Sequence, residues 1–197
     1  MKASRVNPEE ISTELVRWDR REFLRRLDDV LRVYVTAMGY SPGLIGSRRG
    51  FVAGHAQRDD FRAVATIEPA TGRLVGIGYG YHSGPGQWWH EQVRAGLDRP
   101  AARYWLSDCF ELVELHVMPY AQGHGLGEAQ LRALLDGVKA TSVLLSTPEG
   151  DTRAWRLYRR LGFVDVLRNY LFPGDARPFG VLGRLLPFDS PPPSASA

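Results

Sequence analysis

The segment Gln122-Gly123-His124-Gly125-Leu126-Gly127 places three glycines at alternate positions directly before a run with helical apolar spacing. Missing Cβ atoms let a ligand approach the backbone and permit positive φ where the chain must turn. The helix that follows, within EAQLRALLDGV, leaves the N–H groups of its first turn unpaired and concentrates partial positive charge there. An anion belongs at such a place, and a phosphate fits best. Two familiar phosphate loops are excluded. Gly127 is followed by Glu128 and Ala129, so the lysine and hydroxyl of a nucleoside-triphosphate loop are missing. The even glycine spacing also departs from G-x-G-x-x-G, and no early strand–helix–strand unit precedes it to carry a dinucleotide.

The elements that must position this loop follow from periodicity. Upstream, Leu112, Val113, Leu115 and Val117 make a short apolar strand that Pro119 stops. Downstream, Leu131, Leu134, Leu135 and Val138 recur at i, i+3, i+4 and i+7, so the helix over 126–138 can turn one stripe to a sheet. Earlier in the chain, residues 12–18 read as a first strand. Phe23, Leu24, Leu27, Leu31, Tyr34, Val35 and Met38 then predict one long amphipathic helix that Gly39 ends. Residues 42–59 contain Gly43, Gly46, Gly50 and Gly54 and read as a loop with a short second helix. Residues 61–67 and 73–82 predict an antiparallel hairpin. Gly76, Gly78 and Gly80 strip one face of its second strand, for a closely packed element or a ligand, packing being the simpler. Residues 83–106, with Trp88, Trp89, Tyr104 and Trp105, read as a long aromatic loop. It serves either as a lid or binding wall, or as an insertion packed on the surface or at a homodimer contact. Residues 142–147 predict a buried parallel strand. Asp151 or Thr152 can cap a helix with Ala154, Leu157, Tyr158 and Leu161 on one face, and residues 163–172 and 179–186 close the sheet. Two hairpins around a βαβα centre predict a mixed α+β sheet.

Composition narrows the partners. At 197 residues, 44% hydrophobic and 24% charged, one domain over 1–189 is expected, with the Pro/Ser-rich tail 190–197 disordered. The net charge of +3 with scattered arginines demands no nucleic acid. The start MKASRVNPEE has no apolar signal region and no 18-residue apolar run follows, so no membrane association and a cytoplasmic location are expected. The single cysteine, Cys109, permits no internal disulfide and suits a small buried hydrophobe. His55, His82 and His90 show no metal-ligand spacing, so no metal is expected.

The loop resembles the pyrophosphate loop of the GNAT superfamily of acetyl-CoA-dependent N-acetyltransferases, Gln/Arg-x-x-Gly-x-Gly/Ala after a strand ending in Val-x-Pro. Gln122, Gly125 and Gly127 fit it, as do Val117 and Pro119. DTRAWRLYRRLGF, residues 151–163, resembles the family's other signature, Asn-x-x-Ala-x-x-Leu-Tyr-x-x-Leu-Gly-Phe, with Asp151 replacing the asparagine. The likeness follows most of the chain in element order and is tight over 111–127 and 151–163. It implies a twisted, mostly antiparallel sheet with splayed parallel strands four and five, flanked by about four helices. It also implies acetyl-CoA as co-substrate and a primary amine of a small molecule or peptide as acceptor in a ternary complex. The strand backbone at His116 and Val117 would pair with the pantetheine arm, and N–H groups from Gln122, Gly123, His124, Gly125, Leu126, Gly127 and Glu128 would cradle the pyrophosphate. The Glu128 carboxylate, repelled by that diphosphate, is expected to point into solvent. Gln122 stands where many relatives carry arginine, and Asp151 removes an amide donor near the cofactor.

The implied reaction is attack of a neutral amine on a thioester. An alkyl amine with a pKa of about 10.4 costs roughly 4.6 kcal/mol to deprotonate at pH 7, so a base helps. Glu111 and Glu114 are the candidates, Glu111 first because some relatives place their base there. Three apart, they face opposite sides of a strand unless a bulge intervenes. His116 shares a face with Glu114 and is a further choice. Tyr158 matches the family tyrosine that protonates the departing thiolate, against the plainer role of a core tyrosine. The resemblance further places the first two helices beside the acceptor, making Tyr34 and Tyr40 wall candidates. Trp88, Trp89 and Tyr104 would suit an apolar or cationic acceptor. The rival reading is a non-catalytic acyl-CoA-binding module, motivated by Gln122 and Asp151 and opposed by Tyr158 and the paired acids.

Overall fold

The computed structural model describes residues 12–188, so the tail expected to be disordered lies outside the described residues. Seven strands form one sheet in the order β1-β2-β3-β4-β5-β7-β6. They are β1 Glu14–Trp18, β2 Arg62–Glu68, β3 Arg73–Ser83, β4 Cys109–Val117, β5 Ser142–Pro148, β6 Val164–Tyr170 and β7 Phe179–Leu185. Every neighbouring pair is antiparallel except β4 and β5. The helices are α1 Arg20–Arg25, α2 Leu27–Met38, α3 Leu44–His55, α4 Trp88–Gly96, α5 Arg99–Leu106, α6 Leu126–Leu135 and α7 Arg153–Arg160. The fold is the mixed α+β sheet expected, with seven helices among the described residues rather than about four. None is long and apolar enough to cross a membrane.

Strand alternation sorts the side chains into two layers. Val64, Phe110, Val143 and Leu145 pack with Leu131, Leu134 and Tyr158, so α6 and α7 cover one face. Ala63, Ala65 and Ile77 point the other way and bury Phe23, Leu31 and Val52 of α1–α3. Leu144 and Val181, also on that second face, pack with Trp89, Val93 and Trp105 of α4 and α5. Leu131 and Leu134 are almost fully buried, each worth about 1.5–3 kcal/mol of transfer free energy. The glycine-stripped face of β3 receives α6: a Cβ at Gly76 would strike the Gln130 amide, and one at Gly80 the Phe110 ring.

Three elements differ from their sequence expectation. The long helix over 23–38 breaks at Arg26 (φ −98°, ψ 16°), whose guanidinium is drawn aside to Asp29, to the Gly72 carbonyl at 3.0 Å and over the Trp18 ring. Much of the loop over 42–59 is the twelve-residue helix α3. Gly46, Gly50 and Gly54 fall four apart on it, and a Cβ at each would meet nothing within 4 Å, so their cost is entropic rather than steric. The aromatic loop over 83–106 is mostly α4 and α5. Asp98 caps α5 by accepting from the Ala101 N–H at 2.8 Å, and Pro100 sits in its first turn, where a missing N–H costs nothing.

Candidate active site

β4 and β5 pair only at Cys109–Ser142, Phe110–Val143 and Glu111–Leu144. Beyond Glu111 the strands part, and a cleft of about 1520 Å³ opens between residues 112–117 of β4 and 145–148 of β5. The backbone lining this V has lost its partner strand, which leaves N–H and C=O groups for an extended ligand. His116 and Val117 lie on its wall.

One end is built for an anion. Gly125 sits at the N-cap of α6 with φ +77° and supplies no side-chain cap, so the first N–H groups of α6 keep free valence. Gly123 turns the chain before it at φ +89°. Gln122, Gly123, Gly125, Leu126, Gly127 and Glu128 all line the cleft. The Gln122 amide does not reach outward: its Nε2 donates to the Val117 carbonyl at 3.0 Å and clips the loop to β4. His124 turns back to the Ala121 carbonyl at 3.2 Å and is not on the cleft wall. Glu128 lines the cleft instead of standing free in solvent. Arg160 and Arg132, both at 2.9 Å, hold its carboxyl below the usual range and neutralise the charge a diphosphate would meet. Asp151 is off the wall, 84% exposed at its side chain and paired with Arg156 at 2.5 Å. Spacing missed the cations here: Arg153, Arg156 and Arg160 line the cleft at i, i+3 and i+7 of α7, a periodicity legible in TRAWRLYRR. Arg153 lies beside Gly123 and has no carboxylate partner among the described residues.

The reaction centre depends on a bulge. Tyr79 pairs with Glu114 but Gly80 with Leu112, so Val113 is an extra residue in β4. That insertion resets the alternation and sets Glu111 and Glu114 on the same cleft. Glu111 is 5% exposed and its Oε2 has no hydrogen-bond partner among the described residues. Burial raises its pKa to about 8, against the partial pull of the Tyr81 hydroxyl, Arg58 and the Ser83 hydroxyl. Glu114 receives the His116 Nε2 at 2.6 Å, and the His116 ring meets Tyr34 edge-on with centroids 5.4 Å apart. Tyr158 borders the same space, and burial pushes its hydroxyl well above its ordinary pKa, so it stays a neutral proton donor.

The opposite end is walled by Tyr34, Arg48 and Phe51 from α2 and α3, and by Phe172 and Phe179 beside the β6–β7 loop. Gly50 and Gly54 leave space at α3. Trp88 and Trp89 line it from the first turn of α4. Trp88 is half exposed against Phe172, while Trp89 is buried and donates from Nε1 to Ser146 Oγ at 3.1 Å. Elsewhere in that segment Val93, Trp105 and Leu106 are core and Gln87 joins the cleft wall, while Tyr104 is off the wall and exposed, edge-on to Trp105 at 5.0 Å.

Solved structures first define the fold. An acetyltransferase of the GNAT family from Desulfovibrio desulfuricans aligns over 88% of this chain and 99% of its own with a TM-score of 0.61 at 15% identity. Arabidopsis thaliana NAA60, in complex with a bisubstrate analogue, aligns over 88% and 98% with a TM-score of 0.60 at 16% identity. PaiA N-acetyltransferase from Thermoplasma acidophilum, in complex with coenzyme A, aligns over 89% and 99% with a TM-score of 0.55 at 14% identity. Such low identities speak for the fold alone, which is that of these acetyltransferases. Sequence carries this further. Residues 46–163 match the model of the acetyltransferase (GNAT) family. A GCN5-like protein acetyltransferase of Mycobacterium tuberculosis is 46% identical over 191 residues, 83% of this chain and 93% of the relative. The chain belongs to the GNAT acetyltransferase family, which uses acetyl-CoA.

Proposed function

We propose that this chain transfers the acetyl group of acetyl-CoA to a primary amine of a protein or peptide by direct attack in a ternary complex. The observation that carries the reading is the cleft between the splayed strands, where the β4 bulge sets the buried, partner-poor Glu111 with Glu114 and α7 sets the neutral Tyr158. A protein or peptide amine, rather than a small molecule, is favoured by the Mycobacterium tuberculosis relative, whose name describes a protein acetyltransferase.

Acetyl-CoA supplies the electrophilic thioester carbonyl. The α6 N–H groups and Arg153 hold its diphosphate, and the open edge of β4 holds its arm. Glu111 accepts the proton of the acceptor ammonium, and a pKa near 8 suits that task better than an ordinary carboxylate would. As the N–C bond forms and the C–S bond breaks, Tyr158 gives its proton to the departing sulfur and is reprotonated by the proton that the acylated nitrogen sheds. Glu114 fixes His116 and adds negative potential that favours a cationic amine at the floor.

A thiol-release assay over lysine peptides, run with calorimetry of coenzyme A binding, tests this. Glu111→Gln and Tyr158→Phe should each bind coenzyme A as the native chain does and lose about a hundredfold in kcat. Tight binding by the native chain with no turnover on any amine would instead support the non-catalytic module.

A further inference from the structure

At the acceptor end of the cleft two guanidinium groups stand without a bridging carboxylate among the described residues. Arg48 lies over the Tyr34 ring at 5.4 Å and the Phe51 ring at 5.9 Å, and Arg58 follows just after α3; both line the cleft. Neither forms an ion pair among the described residues. The third arginine there, Arg177, is already matched by Asp175 at 2.7 Å and donates to the Tyr40 hydroxyl at 3.0 Å, tying the β6–β7 loop to the end of α2. At the floor Glu114 is engaged by His116, while Glu111 carries little charge near neutrality. Arg48 and Arg58 thus face the mouth through which an ammonium must pass without a bridging carboxylate, while the charge of Glu114 lies at the floor beside His116. An amine with neutral surroundings is repelled there, whereas one with anions beside it is drawn in.

We propose that the acceptor is a lysine flanked by acidic residues, whose carboxylates meet Arg48 and Arg58 while their backbone rests on the exposed rings of Phe51 and Trp88. This rests on the reading of the cleft as an amine acetylation site. The acids supply the charge complement that these two arginines lack, and the lysine reaches past them to Glu111.

The test uses two peptides, one with a lysine between aspartates and its twin with the lysine between asparagines, titrated into the full chain saturated with coenzyme A. The aspartate peptide should bind about tenfold more tightly, and the gap should shrink in about 0.5 M salt. Arg48→Gln should remove most of the difference, and Arg48→Glu should turn it in favour of an arginine-flanked peptide. Unchanged coenzyme A affinity reports that these variants are folded. Equal binding of the twins by the native chain overturns the proposal, as does a preference undiminished in an Arg48→Gln/Arg58→Gln double variant. Turnover in the same samples separates the two claims: preferential binding without acetylation keeps the acidic-site inference and defeats the catalytic reading.

Discussion

A buried carboxyl with an unpartnered oxygen costs folding stability whenever it must ionise. The folded pKa of Glu111, about 8, lies above its ordinary 4.5, so the native state holds its proton longer than the unfolded chain does. Below pH 4.5 both states are protonated and nothing is lost. Between 4.5 and 8 the unfolded chain ionises first, and the penalty grows to about 3 kcal/mol at pH 7 and about 5 kcal/mol above pH 8. Glu111→Gln should therefore melt higher than the native chain at pH 8, with the gap closing towards pH 4; a gap independent of pH would contradict the buried acid. The native kcat/KM should in turn rise with pH through about 8 as Glu111 ionises, and that limb should vanish in the same variant. The two measurements couple at one atom: what destabilises the fold is what prepares the base.

At the scale of elements, the anion seat is the join of the glycine loop, α6 and α7. Gly125→Val places a branched side chain at φ +77°, which costs about 1–3 kcal/mol and fills the N-cap, so coenzyme A affinity should fall about tenfold or more. Arg153→Gln removes an exposed, unopposed charge and should weaken binding only about threefold to fivefold, with a shallower salt dependence. Calorimetry ranks the two, and the reverse order would mean that charge rather than backbone access governs the seat. This seat was legible in sequence because alternate glycines ahead of a periodic helix have few other uses. The strands were legible for the same reason, since β2–β3 and β4 carry period-two or unbroken apolar runs between turn residues. What was not legible lay where signals conflict. Three glycines hid the length of α3, of which only a short helix was expected, though their spacing of four is itself helical. The start signal for α5, Asp98 with Pro100, is short beside the clustered tryptophans of the same segment. The bulge at Val113 has no local sequence mark, because it arises from pairing with β3, so the meeting of Glu111 and Glu114 is a property of the folded sheet.

The whole molecule holds the cleft open by backing its two limbs with different helices. β4 is backed by α6 through Leu112 and Leu131. β5 is gripped on one face by α7 through Leu145 and Tyr158, and on the other by α4 through Trp89, whose indole holds Ser146 two residues past the last β4–β5 pair. A ligand that lies along the V bridges segments more than thirty residues apart, so it should stabilise the fold by mass action in proportion to how much of the V it engages. Coenzyme A at about a hundred times its Kd adds about 2.7 kcal/mol, which for a chain of this size raises Tm by about 5 to 10 °C. Adenosine 3′,5′-bisphosphate carries phosphates but no pantetheine arm and can engage only the α6–α7 end. At equal concentration it should raise Tm by clearly less, and adding it to Gly125→Val should raise Tm scarcely at all. Equal shifts from the two ligands on the native chain would mean that the parted strands do not grip the arm, and the splay would then need another explanation.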